Sequence, residues 1–260
     1  MTVWAHRRPI ATGLVVALAL AWQVAAARAD QREDFLAGRA RDCPRCDLAG
    51  ENFKRRDLSG ADLTGANLKD ANLHDARLVG VRLGGADLTG ANLNKANLSR
   101  ADLRGVKARD AMLYGAILDG ANGAGADLTN ALMGTARLTR SDLSNASLDN
   151  VDLRKARLGE TNLTGASLAA GAFDFAILRN ARLDGAALTE ARLIGAELIG
   201  ASLVAADLTD ANALGANLRS ADLTRATLRR TSFRRANLYE AKLDAAIFDN
   251  TVMPDGTTMP

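Results

Sequence analysis

The sequence predicts an all-β solenoid, in which one chain winds into stacked coils around a single narrow core. The first observation is a strict five-residue phase: the 41 places at every fifth position from 48 to 248 include 33 leucines. The second is that the place two residues earlier is alanine in 31 of the 41 cases. The third is that no insertion breaks the phase, and no proline occurs between Arg45 and Met253. Such self-similarity is typical of repeat architectures.

A period of five fits neither a helix nor a flat strand. On an α-helix, successive leucines would step by about 140° and form no common face. On a flat strand, an odd spacing would place them on opposite sides. The backbone is therefore expected to bend once per repeat, always in the same direction. The alanine and the leucine lie two residues apart and point inward, while the other three residues turn the corner.

The corner has its own composition. The residue two places after the leucine is glycine in 15 repeats and is often Asn or Asp elsewhere. These residues tolerate left-handed backbone angles. Asp62, Arg82 and Asp102 are spaced by twenty, which favours four repeats per turn because opposite charges would stack. Arg137 and Arg157 would then stack like on like, so the residues alone leave the number of sides open.

The stretch "ADLTGANLKDANL", which starts at Ala61, resembles the pentapeptide-repeat family with its A-(D/N)-L-x-x unit. The resemblance covers residues 46–253. It implies a right-handed, quadrilateral parallel β-helix of about ten coils, a rod roughly 50 Å long. Ala108 and Gly123 interrupt the leucine column, and a bulge or softened corner is expected at residues 106–110 and 121–125.

Four segments are expected along the chain. Residues 1–29 are predicted to be a signal peptide, with a basic start, an apolar run and small residues before a cleavage site after Ala29. Cleavage predicts a periplasmic or secreted protein, whereas an uncleaved segment would anchor the chain in a membrane. Residues 30–45 are predicted to cap the first coil, residues 46–253 to form the repeat, and residues 254–260 to form a C-terminal tail.

The charge of the mature chain gives no reason to expect a nucleic-acid partner. The whole chain has 33 Lys and Arg and 30 Asp and Glu, and three of the basic residues lie in the predicted signal. The mature chain is therefore balanced at 30 of each sign. A cluster of six arginines between positions 219 and 235 has few aromatic neighbours for stacking on bases.

Cys43 and Cys46 are the one chemically suggestive pair. A redox motif is expected before a helix in a βαβ unit, and a structural zinc site needs four ligands, so neither reading fits. Haem attachment would need histidine at Asp47. We interpret the pair as a disulfide or a buried cap. His74 is the one histidine of the mature chain and follows an inward leucine, which indicates a surface position. No cofactor or metal is expected, and the chain is not expected to be an enzyme.

The function expected is a non-catalytic structural or protein-interaction module outside the cytoplasm, with the rod as a rigid scaffold. Its partner would be an unidentified protein or a second copy of the chain. The alternative, implied by the family resemblance, is a DNA mimic that binds a type II topoisomerase. A candidate interaction strip consists of large apolar residues at outward places, which under four-sided winding share two adjoining sides: Met112, Tyr114, Ile117, Leu132, Phe175, Ile177, Ile194, Ile199 and Leu214.

Overall fold

A computed structural model describes residues 30–260. The predicted signal peptide, residues 1–29, lies outside the described residues. From Asp47 onward, parallel bridges join each residue that precedes an inward leucine to the residue twenty positions later, as in Asp62 with Arg82 and Arg82 with Asp102. One turn of the coil therefore contains four repeats. We number the four sides by one coil: 61–65 is side 1, 66–70 side 2, 71–75 side 3 and 76–80 side 4, and each later repeat shares the side of the repeat twenty residues before it.

Backbone hydrogen bonds between coils stabilise this winding. Leu63 N–H donates to the carbonyl oxygen of Arg82 at 2.8 Å, and Arg82 N–H donates back to that of Ala61 at 2.9 Å. The same pair of bonds recurs along the chain at the same spacing. No proline occurs between Arg45 and Met253, so every backbone N–H in the repeat is available as a donor. The ladder of hydrogen bonds between coils is therefore uninterrupted from Asp47 to Val252.

The core is the stack of inward leucines with alanines beside them, as the five-residue phase predicts. Leu143 and Leu163 lie one turn apart and are both almost fully buried. Phe173 fits because Gly171 stands two residues before it: a Cβ there would lie 2.8 Å from the Phe173 ring. Inward hydroxyls are also satisfied, since Thr161 Oγ1 donates to the carbonyl oxygen of Leu138 at 2.6 Å.

All the corners adopt the same backbone conformation. Every fifth residue from Arg45 to Asn250 has a positive φ between 52° and 68°. Glycine occupies 15 of these places, and residues as large as Phe175 occupy others. A turn hydrogen bond closes each corner, as from Ala61 N–H to the carbonyl oxygen of Leu58 at 3.1 Å. The positive angle at the third turn residue is what a type II turn requires.

The expectation of a bulge near Ala108 and Gly123 is wrong. The bridges Asp87 to Lys107 to Asp127 and Asp102 to Asn122 to Asp142 continue in register. The missing side-chain volume appears instead as an internal apolar cavity of about 20 Å³ beside these two positions. The backbone keeps its hydrogen bonds because losing them would cost more than leaving a small void.

The N-terminal end is covered. Residues 30–36 are helical, and Phe35 is buried with its ring centroid 5.8 Å from that of Phe53. Glu51 and Arg56 are the charged residues that occupy the inward place, and the covering segment satisfies both. Arg32 pairs with Glu51, and the Arg56 guanidinium lies 5.0 Å from the Phe35 ring centroid. Arg56 also donates to the backbone carbonyls of Phe35 and Leu36.

Cys43 and Cys46 are joined in a disulfide, with their Cα atoms 5.4 Å apart. Both side chains are buried at the first corner of the coil. The bond closes the segment in which the covering loop becomes the first repeat.

The C-terminal end is covered less completely. Strand β1 (Thr251–Val252) continues the last coil, and β2 (Thr258–Met259) folds back on it in antiparallel register. This hairpin lies on one side of the coil. On the other three sides, the inward residues Leu238, Leu243 and Phe248 are only half-buried.

Candidate interaction surface

All nine apolar residues of the predicted strip lie on sides 3 and 4. The bridges place Met112 directly against Leu132 on side 3, and Ile117 and Ile177 lie in one column of side 4. Tyr114, Leu132 and Phe175 are the most exposed, at 55%, 50% and 59%. The other six are half-buried by their neighbours on the flat sides. The strip is not continuous, however, because a charged coil divides it into two clusters.

The lower cluster consists of Met112, Tyr114, Ile117 and Leu132. Tyr114 lies flat against the rod because the next coil carries Gly134 at the same place. A Cβ on Gly134 would lie 3.2 Å from the tyrosine ring. The missing side chain also leaves a shallow depression of about 200 Å³, which is lined by Tyr114, Thr135, Asp152, Arg154 and Lys155.

The upper cluster consists of Phe175, Ile177, Ile194, Ile199 and Leu214. The Phe175 ring covers Gly195 in the same way, since a Cβ there would lie 2.8 Å from the ring. Phe175 N–H donates to the carbonyl oxygen of Ile194 at 2.9 Å, and Gly195 N–H donates to that of Leu214 at 2.9 Å. The exposed rings of the two clusters, Tyr114 and Phe175, therefore rest on glycines and are fixed on a rigid ladder.

Between the clusters lies a band of charge made by Asp152, Arg154, Lys155 and Arg157. Arg154 donates two hydrogen bonds to Asp152, at 2.8 and 2.7 Å. These bonds hold the pKa of the Asp152 carboxyl below its ordinary value. Among the described residues, Lys155 and Arg157 have no acidic partner within 4.0 Å, and both are exposed. The band therefore presents two uncompensated cations between two apolar clusters.

Asp174 is a feature of this surface that sequence reasoning missed. Its place follows an inward residue and is usually half-buried or exposed, but its side chain is only 7% exposed. One carboxylate oxygen accepts a hydrogen bond from Arg192 at 2.6 Å. The other has no hydrogen-bond partner within residues 30–260. Arg192, at the ladder place of the next coil on the same side, covers this aspartate.

Charge is distributed unequally over the four sides. Between residues 111 and 220, sides 3 and 4 carry eight Lys or Arg and five Asp or Glu. Over the same coils, sides 1 and 2 carry one basic residue, Arg182, and seven acidic residues. Over these middle coils the apolar clusters thus lie on the basic sides, and the two opposite sides are acidic.

The structure also gives the positions of the remaining residues that could form a functional site. His74 is half-buried at its turn and donates its backbone N–H to Asn72 Oδ1 at 3.2 Å. Within the described chain, no group of three His, Cys, Asp or Glu side chains is arranged to hold a metal ion. Across residues 30–260, no helix has the length and apolar character needed to span a bilayer.

Comparison with protein families identifies the class. The family described as pentapeptide repeats matches residues 46–85, 82–120, 133–169, 176–212 and 214–250, in eight copies. The chain belongs to this family, which consists of non-catalytic structural or binding proteins with a right-handed β-helix. A search of curated proteins found no match.

Among solved structures, the chain is similar to HetL, a pentapeptide repeat protein involved in the regulation of heterocyst differentiation in the cyanobacterium Nostoc sp. strain PCC 7120. The two are 32% identical with a TM-score of 0.71, over 87% of this chain and 97% of HetL. Full-length QnrB1, a plasmid-mediated fluoroquinolone resistance protein, is 18% identical with a TM-score of 0.41, over 77% of this chain and 92% of QnrB1.

Proposed function

We propose that the protein is a non-catalytic, rod-like scaffold of about ten coils that acts outside the cytoplasm and binds another protein through sides 3 and 4. The observation that carries this proposal is the restriction of the large exposed apolar side chains of the middle coils to two adjoining sides. Apolar surface gathered in one region of a soluble protein usually has a use in binding. The rigid ladder beneath these side chains means that little conformational entropy is lost when a partner docks.

The binding proposal is tested by capturing a partner with a photo-crosslinker placed on the surface. Leu132 and Ile194 mark the lower and upper clusters. The double variant Leu132→Asp, Ile194→Asp is expected to abolish capture, because it buries two carboxylates in the interface. The matched control is Ala187→Asp, Val204→Asp, which introduces the same two aspartates at the equivalent places of sides 2 and 1. Equal capture by both variants, with folding intact by circular dichroism, refutes the proposal.

Export is tested separately. The signal at residues 1–29 predicts that native protein is found outside the cytoplasm with Asp30 as its first residue. Cell fractionation followed by N-terminal sequencing measures both. Protein recovered from the cytoplasm that still begins at Met1 overturns this part of the proposal and leaves the binding surface untouched.

A second candidate is a DNA mimic that binds a type II topoisomerase. The charge of the middle coils favours it, because sides 1 and 2 carry seven acidic residues and one basic residue there. The balanced charge of the mature chain speaks against it, since a mimic of duplex DNA needs a strongly negative surface. Inhibition of DNA supercoiling by gyrase at stoichiometric protein, lost on replacing Asp127 and Asp207 by lysine, supports this candidate over the first.

A further inference from the structure

We propose that the partner presents carboxylates between two apolar patches, in register with the charged band and the two clusters of sides 3 and 4. This inference rests on the proposed function and specifies its partner. Its basis is the order of features along the rod: apolar in the lower cluster, cationic at Lys155 and Arg157, and apolar again in the upper cluster.

The band selects for negative charge. The carboxylate of Asp152 is already occupied by Arg154, and that of Asp174 by Arg192. Lys155 and Arg157 remain without an acidic partner in the described chain. Apolar contacts on both sides of the band exclude water when a partner docks, which strengthens the attraction between these cations and an incoming carboxylate.

The spacing of the clusters sets the size of the partner motif. Leu132 and Phe175 lie two coils apart, and coils stack at about 4.8 Å, so the two clusters are separated by about 10 Å along the axis. An extended chain that runs along the rod spans this distance in about three residues. The depression at Gly134, bounded by Tyr114 and Lys155, accepts one side chain of the partner within that span.

A second copy of the chain fits this surface poorly. If the same surface met itself about a two-fold axis, Lys155 and Arg157 would face like charges. The acidic sides 1 and 2 have the required charge but lack apolar anchors. Their outward residues between 121 and 210 are small or polar, with Val204 as the largest aliphatic one. An anionic membrane fits less well than a protein, because the exposed Glu160 beside the band would face its headgroups.

The test uses the mature full-length rod and three fluorescent synthetic peptides. The first has leucines at both ends and glutamates in the centre, the second has lysines in place of the glutamates, and the third has serines in place of the leucines. Fluorescence anisotropy at low and high salt measures binding. We expect the first peptide to bind best and to weaken with salt.

Charge reversal then locates the site. Lys155→Glu with Arg157→Glu is expected to weaken binding of the first peptide about tenfold or more. The control is Arg225→Glu with Arg229→Glu, which reverses two exposed cations on sides 1 and 2 and is expected to leave binding unchanged. Arg225 matches Lys155 closely, since both occupy corners with a φ of 59°.

Several outcomes overturn the inference: equal or tighter binding of the lysine peptide, indifference to the reversal at Lys155 and Arg157, or no binding of the first peptide. Reversal-sensitive binding to anionic phospholipid vesicles in place of peptide, or self-association through this surface in analytical ultracentrifugation, overturns it as well. If a native partner is captured at Leu132 while the acidic peptide does not bind, the proposed function stands and this inference fails.

Discussion

At the scale of the residue, position within the repeat decides what a side chain does. Leu163 and Leu132 are the same amino acid, but Leu163 is fully buried in the leucine stack and Leu132 is 50% exposed on side 3. The hydrophobic stabilisation of a side chain follows the apolar area that it removes from water, so these two leucines should contribute very differently.

Replacing each of them by alanine measures this difference. Leu163→Ala is expected to lower the free energy of unfolding by about 2–5 kcal/mol, because it loses transfer free energy and leaves a cavity. Leu132→Ala is expected to change it by less than about 0.5 kcal/mol, as for most surface positions. Urea denaturation followed by circular dichroism compares the two. Equal losses for both variants would show that the inward and outward assignments are wrong.

Pairs of Asp and Arg on the outer surface of the coils make the stability of the fold depend on pH in a defined direction. Side-chain hydrogen bonds from Arg104 and Arg154 lower the pKa values of Asp102 and Asp152 below the ordinary 3.8. A carboxyl group with a lowered pKa in the folded state stabilises the fold above its unfolded pKa, and this contribution is lost as pH falls through the folded value.

The urea midpoint should therefore be nearly constant from about pH 8 to 5 and fall below about pH 4. The double variant Asp102→Asn, Asp152→Asn should show a smaller fall, because two of the linked groups no longer titrate. Urea titrations of both proteins at a series of pH values test this. A parent and variant with identical pH profiles show that these pairs contribute nothing measurable.

At the scale of the element, the repeat is readable from sequence because each coil obeys the same rule. The period of five fixes which side chains point inward, and glycine, Asn and Asp mark the corners. The prediction of four sides came from the family resemblance. The charges spaced by twenty residues favoured four repeats per turn but did not establish it. The small cavity at Ala108 and Gly123 could not be predicted from the sequence. Whether the chain forms a bulge or leaves a cavity depends on the difference in free energy between two backbone conformations.

The interaction surface was only partly readable for a similar reason. The outward phase placed all nine apolar residues on two sides, but their division into two clusters depends on what the intervening coil contributes. Asp152, Arg154, Lys155 and Arg157 fill that coil with charge. The burial of Asp174 depends on how Arg192 packs over it, and no periodic rule describes that packing.

The N-terminal cap lies over the coil in which charged residues, Glu51 and Arg56, occupy the inward place. Its contribution to stability can be tested separately from the rest of the rod. Phe35 covers the first coil and holds Arg56, so Phe35→Ala is expected to cost about 3–5 kcal/mol locally. Hydrogen exchange measured by mass spectrometry should speed up in residues 43–63. Exchange near Leu163 should stay unchanged, because coils of a solenoid contact only their neighbours. Faster exchange along the whole rod would indicate that the cap stabilises every coil at once.

At the scale of the whole molecule, the two ends of the rod differ in how they protect the core. The N-terminal coil is covered by a helix, a disulfide and Phe35, whose ring meets that of Phe53 edge to face. The C-terminal coil has the β1–β2 hairpin on one side, while Leu238, Leu243 and Phe248 remain half-buried on the others. An open sheet edge with part of its core exposed is the place where a solenoid begins to unfold.

Local stability should therefore decrease toward the C-terminus, and removing the hairpin should sharpen the gradient. Truncation after Met253 deletes β2 and leaves the backbone groups of Thr251 and Val252 without their antiparallel partners. Amide exchange in residues 238–252 is expected to accelerate by about tenfold or more, equivalent to about 1.4 kcal/mol of lost local stability, while residues 140–200 keep their protection. The matched control is Thr258→Ala, which keeps the backbone of β2 and should leave exchange close to that of the parent chain. Unchanged exchange after truncation would show that the last coil is held by its own contacts with the coil before it. Faster exchange along the whole rod would show that the rod unfolds as a single cooperative unit.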